Sequence, residues 1–220
     1  LASNAVAALT SNELNSLGGS SIAKLSTAGV AGLASKTIAG LSTSAASYLS
    51  SAQVQSLTSD QLNSISSASL IKLNTSGFGN LTSLTVAGLS SNTLNSLTSS
   101  QVSKLDSSGI ARLTSNVIAG VSSNTLNVMS TSQLRAIDVV GIASISSSTI
   151  ASLSSNVLNS FSVNQFNQLD VSGIARLSTA AVAGLTSETL NALTSSEVAV
   201  LSTAGIAGLS SASVAGLNSI

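Results

Sequence analysis

Residues 97–112 decide the fold. Leu97-Thr98-Ser99-Ser100-Gln101-Val102-Ser103-Lys104 runs directly into Leu105-Asp106-Ser107-Ser108-Gly109-Ile110-Ala111-Arg112, and Leu113 opens the next copy. Each stretch has a leucine, two small polar residues, and an aliphatic residue five places after the leucine. Stepping outward by eight reaches Leu1, Leu9, Leu17 and Leu25 on one side and Leu201, Leu209 and Leu217 on the other. No polar residue interrupts this series, and Ile65, Val121, Met129, Ile137, Ile145 and Phe161 are its conservative substitutes. The second apolar series runs from Val6, Leu14 and Ile22 to Ile206 and Val214, with only Ala46 small. A fixed period without insertion or deletion is the signature of stacked repeats.

The two apolar residues of a unit are five and three apart, both odd numbers. A flat strand would therefore place them on opposite faces. A helix places Val102 and Leu105, at i and i+3, on one face. The second octad residue, nearly always Ser, Thr, Asp or Asn, suits a helix N-cap, whose side-chain oxygen accepts from a backbone N–H of the first turn. N3 then falls on the fifth residue, where Glu13, Gln53, Gln61, Gln101, Gln133, Gln165 and Glu197 complete capping boxes. The leucine before the cap and the aliphatic at N4 form a hydrophobic staple. At about one and a half turns, each helix is too short to survive in water alone, so its stability must come from stacking on its neighbours. The expected fold is all-α: one elongated solenoid of short helices, one per octad, continuous over residues 1–220, with first and sixth positions as core. The alternative is a β-solenoid with the first three octad residues as strand, which Val139, Val163 and Val171 at third positions would suit.

A longer period overlies the short one. Asn63, Asn95, Asn127, Asn159 and Asn191 recur every 32 residues, as do Gly77, Gly109, Gly141, Gly173 and Gly205. Two explanations fit this: four octads closing one superhelical turn with equivalent residues in ladders, or duplication of a four-octad segment without geometric meaning.

Composition excludes most chemistry. The 220 residues are 43% hydrophobic, 6% charged and 2% aromatic, with no Pro, His, Cys or Trp. There is thus no imidazole base, thiolate, Cys/His zinc site or disulfide. Seven basic and seven acidic residues leave no electrostatic footprint for nucleic acid, and no apolar run is long enough for membrane insertion. Serine is abundant, but no Ser has a base partner. The expectation is therefore no enzyme and no catalytic, cofactor or metal-binding residue. Asp106, Asp138 and Asp170, with Lys104, Arg112, Arg135 and Arg176 nearby, read as N-caps rather than a calcium or sugar site. Calcium-binding nonapeptides need paired glycines in every unit, and Gly18-Gly19 is the only such pair. Phe78, Phe161 and Phe166 read as core filling and Tyr48 as surface packing. Asn74-Thr75-Ser76 and Asn80-Leu81-Thr82 match the glycosylation sequon. The Ser/Thr pairs could also present a hydroxyl face to a glycan, mineral or ice surface, although capping already requires half of them.

Leu25-Ser26-Thr27-Ala28-Gly29-Val30-Ala31-Gly32, Leu49-Ser50-Ser51-Ala52-Gln53-Val54-Gln55-Ser56 and Leu193-Thr194-Ser195-Ser196-Glu197-Val198-Ala199-Val200 resemble the octapeptide repeats of very large bacterial surface and secreted proteins, commonly called adhesin-like. The resemblance covers the whole chain and implies an extracellular or cell-surface structural role: stalk, spacer or filament. Proteins of this kind are also named for haem utilisation, but this chain has no His, Tyr pair or Met pair to ligate haem. It has no initiator Met or signal peptide and reads as an internal slice of a longer protein. Solenoid ends without polar capping units should both present apolar edges. With little charge to oppose association, end-to-end or side-by-side self-assembly is expected.

Overall fold

The computed structural model describes residues 2–218; Leu1 and Ile220, the ends of the register, lie outside them. The described residues form 27 α-helices of four to six residues and no strand, which overturns the β-solenoid alternative. Every helix begins at the third residue of its octad, from Ser3–Ala7 to Ser211–Ala215. The odd spacing of the apolar residues requires the chain to turn within each unit, and a short helix supplies that turn.

Capping explains the phase. All seven anticipated capping boxes form, at Thr10/Glu13, Ser50/Gln53, Thr58/Gln61, Thr98/Gln101, Ser130/Gln133, Ser162/Gln165 and Thr194/Glu197. At Thr98 the backbone is extended (φ −68°, ψ 157°), and its hydroxyl accepts from the Gln101 N–H. Helix Ser99–Val102 then closes with Val102 N–H donating to the Thr98 carbonyl at 2.9 Å and Leu105 N–H to the Val102 carbonyl at 3.0 Å. Ala2, Gly18 and Ala34 occupy cap positions without a side-chain oxygen, yet their helices form in phase, held by packing rather than by the cap.

The chain divides into two compact units, Leu1–Leu113 and Thr114–Ile220. In each, a helix packs chiefly against the third helix along, as Ser3–Ala7 does on Thr27–Ala31 and Ser147–Ile150 on Val171–Ile174. Four helices also meet the fourth along: Ser11–Ser16, Ser59–Ser64, Ser123–Val128 and Ser155–Ser160. A superhelical turn therefore takes more than three octads and fewer than four. Residues 32 apart thus do not stack in register; the helices that reach the fourth along carry asparagine at the seventh octad position, Asn63, Asn127 and Asn159 of the 32-residue series and Asn15 outside it.

First and sixth positions form the core, including Ala46, Phe78, Phe161 and Phe166. Each fully buried leucine contributes roughly 1.5–3 kcal/mol. The fifth position, not anticipated as core, is buried as well: Gln53, Gln61, Gln101, Gln133 and Gln165 are at most 3% exposed.

The two ends differ. Val6, Leu14 and Ile22 are buried, leaving Ala5, Glu13 and Ser21 open, whereas Val198, Ile206 and Val214 are 42%, 41% and 52% exposed. Among the described residues, sixth-position side chains are thus covered in the first turn and exposed in the last.

Candidate functional site

Four recurring turn-to-turn contacts, three made by polar side chains and one by close approach at glycine, are what the fold positions. The first is made by glutamine at the fifth position. Gln53 Oε1 accepts from its own cap, Ser50 N–H, at 2.8 Å, and its Nε2 donates to the Ile22 and Leu25 carbonyls of the preceding turn, both at 2.8 Å. Gln61, Gln101 and Gln165 repeat this onto the Leu33, Leu73 and Ile137 carbonyls. Serine at the same position does it singly, Ser69 to Leu41 and Ser213 to Leu185. Glu197 keeps the cap bonds but has no amide to donate.

The second contact is an asparagine ladder. Asn63 Nδ2 donates to the Gly88 carbonyl at 2.8 Å, while its Oδ1 accepts from Ser90 N–H at 2.9 Å and Thr93 Oγ1 at 2.7 Å. Asn15, Asn127, Asn159 and Asn191 make the same pair of backbone bonds 25 and 27 residues ahead. Ser59, on the helix of Asn63, sits against Gly88, where a Cβ would lie 2.5 Å from its Oγ.

The third contact is close approach at fifth-position glycines. A Cβ on Gly29, Gly77 or Gly205 would lie 2.5 Å from the Cβ of Val6, Val54 or Val182 on the turn before. No described residue has a positive φ, so these glycines are needed for space rather than for backbone freedom. Gly19 departs from Ser/Thr at the third position for a similar reason: the Tyr48 ring lies on it, 2.5 Å from where a Cβ would be.

The third-position hydroxyls also join turns. Ser67 bonds Ser96 at 2.8 Å and Thr131 bonds Ser160 at 2.9 Å. Ser83 donates to Asp106 at 3.0 Å, and Ser147 donates to Asp170. The outermost row is instead the fourth position, exposed in every described octad and mostly Ser or Asn.

The aspartates divide their roles. Asp138 caps through Gly141 N–H, and Asp170 through Ser172 N–H while also accepting from Ser147. Asp106 makes no cap bond of good geometry to its own helix and is held by Ser83. The Ser83 hydroxyl lowers the Asp106 pKa, and the Ser147 hydroxyl lowers that of Asp170. Glu13 is lowered first by the Thr10 N–H and then by the Thr10 hydroxyl. Asn74 of the first sequon serves as a cap, accepting from Ser76 N–H at 3.0 Å.

Among the described residues no cluster of three or more His, Cys, Asp or Glu side chains could hold a metal ion. No buried side-chain nitrogen or oxygen among them lacks a hydrogen-bond partner, and no described helix is long and apolar enough to cross a membrane. A groove of about 320 Å³ in the second unit is lined by Phe161, Val163, Phe166, Arg135 and Glu188 among others. It was not legible as a site because its residues lie in different octads. Arg135 Nε donates to the Ser160 carbonyl at 2.9 Å, and the groove hydroxyls of Ser162 and Thr189 donate to the Gln165 and Asn159 amide oxygens.

No protein-family model, curated protein or solved structure matches the chain. The all-α solenoid of short helices therefore rests on its own geometry.

Proposed function

We propose that this chain is a structural repeat segment of the bacterial cell surface or extracellular matrix, acting as a stalk, spacer or filament element, with no enzymatic activity. The observation that carries this reading is the direction of the polar side chains. Asn, Gln and third-position Ser/Thr point their hydrogen bonds along the stack, as at Gln53, Asn63 and Ser67, where they hold successive turns together against extension. Cell-surface placement is supported by the octad resemblance, and the absence of variable loops leaves little surface of the kind that usually carries sites. Single-molecule pulling of the 220-residue chain should give repeated small rips as turns peel away. Turnover that survives rigorous purification, or unfolding in one rip per unit without intermediates, would overturn the reading.

A second reading, binding to a glycan, mineral or ice surface, is favoured by the exposed fourth-position row. It requires saturable binding that disappears when Ser100 and Ser108 are each changed to Arg, with helical content unchanged.

A further inference from the structure

Third-position hydroxyls join successive turns, as at Ser67 and Thr131, so an octad without one forgoes a bond that the fold uses. Every described octad has Ser or Thr there except at Gly19, where the Tyr48 ring takes the space, and at Val139, Val163 and Val171. The core does not absorb these valines. Val139 is 44% and Val163 52% exposed, and Val140, at the fourth position beside Val139, is 62% exposed. Helix Val139–Ala143 packs directly on Val163–Phe166, so Val139, Val140 and Val163 lie on one side of the second unit. Val171 opens a helix of another column, packed between Ser147–Ile150 and Ser195–Val200. Scattered exposed aliphatics are ordinary, but a group of neighbouring ones on an otherwise Ser/Thr-rich surface marks an interaction site.

Two charged groups flank these valines, for Arg135 and Glu188 line the groove beside Val163. Arg135 stands at the seventh position, the place of the ladder asparagines, and its Nε makes their bond, to the Ser160 carbonyl 25 residues ahead. That bond anchors the guanidinium, whose other N–H groups have no partner among the described residues. Glu188, exposed at a fourth position, has no partner among them either. Its helix, Ser187–Ala192, packs on Val163–Phe166 as the turn after it, so the order along the stack is Arg135 and Val139, then Val163, then Glu188. The stack continues beyond both limits, with Ser115–Ala119 on Val139–Ala143 and Ser211–Ala215 on Ser187–Ala192. Further octads in a longer chain would therefore leave this side open.

We infer that this side of the second unit docks the same side of a second copy, the two chains lying antiparallel about a two-fold axis near Val163. A two-fold contact needs a self-complementary surface, in which residue i meets j and j meets i. A cation toward one end, an anion toward the other and aliphatics beside them meet that requirement. The antiparallel copy brings its Glu188 to Arg135 and its Arg135 to Glu188, whereas a parallel copy would set like charges opposite one another. Asp138, also exposed on this side, is engaged by the Gly141 N–H as a cap. Burial of the valines supplies driving force, and the charges fix the orientation. The inference rests on the reading of the chain as a structural element and names its partner, in a contact that closes at two chains.

Charge reversal in the full chain tests the pairing. Multi-angle light scattering should show wild-type mass rising with concentration to a plateau at two chains. Arg135→Glu and Glu188→Arg should each raise the dimer dissociation constant at least about tenfold, since each variant sets like charges opposite in its own pair. Their equimolar mixture should dimerise again, because both contacts then join unlike charges. Val140→Ser with Val163→Ser, which restores ordinary octad residues, should abolish association with the circular dichroism spectrum unchanged. That variant and Glu188→Arg carry the test if loss of the Ser160 bond unfolds Arg135→Glu. Dimers that persist in the serine variant, or a mixture that associates no better than either charge variant alone, would overturn the proposal. So would a mass that climbs past two chains without a plateau, which would indicate open stacking. A wild type that stays monomeric at all concentrations would overturn the pairing while leaving the spacer function standing, since a spacer needs only covalent continuity.

Discussion

Glutamine at the fifth octad position acts both within its helix and between turns, so its replacement should cost more than a lost cap. Gln53→Ala removes the acceptor for Ser50 N–H and the donor to the Leu25 carbonyl. The expected destabilisation is about 2–3 kcal/mol, read as a shift in the urea midpoint. Glu197 tests the same logic in reverse. It occupies the glutamine position but brings no donor, so Glu197→Gln should stabilise by about 1 kcal/mol, and a neutral or destabilising result would refute the assigned role. The carboxylates set the acid limit. Glu13, Asp106 and Asp170 are held below their ordinary pKa values by hydrogen bonds, so they favour the folded state when ionised. That contribution is complete above the ordinary carboxylate range and is lost as pH falls through the lowered folded values. All three lie at the surface, so the effect is small. With no His or Cys in the chain, Tm should be flat between about pH 5 and 8 and decline only in acid. A step in Tm near neutrality would contradict this.

At the scale of the helix, close approach and capping can be separated by two glycines. Gly77→Ala would drive a Cβ to 2.5 Å from Val54 Cβ and 2.8 Å from the Ser51 carbonyl oxygen, forcing helix Thr75–Phe78 away from Ser51–Gln55. The expected cost is about 1–3 kcal/mol in thermal or chemical unfolding. Gly18 has nothing within 4 Å of its Cβ direction and sits at an uncapped N-cap with φ −69° and ψ 157°, open to any residue. Gly18→Ser should stabilise by about 0.5–1 kcal/mol, through a new cap and a less flexible unfolded chain. This contrast marks what was legible in the sequence. Phase, caps and boxes follow from bonds three and four residues apart, such as Glu13 to Thr10, and a linear pattern contains them. The reach of Gln53 to a carbonyl 28 residues back depends on how far each octad rotates the chain, which no local pattern states. Sequence therefore identified Gln53 as a capping residue and missed its second bond. It also marked the glycines as periodic without showing which valine each one accommodates.

At the scale of the whole chain, each helix gains its stability from the turns directly before and after it. Ser51–Gln55 packs on Thr27–Ala31 and Thr75–Phe78, so a lesion there acts first on those neighbours. In such a one-dimensional array, unfolding free energy is approximately a sum of repeat terms and nearest-neighbour interface terms. Leu57, which is 1% exposed, belongs to the core that these turns share. Leu57→Asp buries a carboxylate without a partner and should cost several kcal/mol, on the order expected for an unpaired polar group in an apolar core. Native-state hydrogen exchange should then show protection lost at the amides of Val30, Val54 and Phe78 and retained at Val6 and Ile110, further along the same unit. Retention at the distant amides follows from interfaces that couple only adjacent turns. If protection instead collapsed equally at all five amides, the unit would be a single cooperative block, and its helices could not be treated as additive stacked repeats.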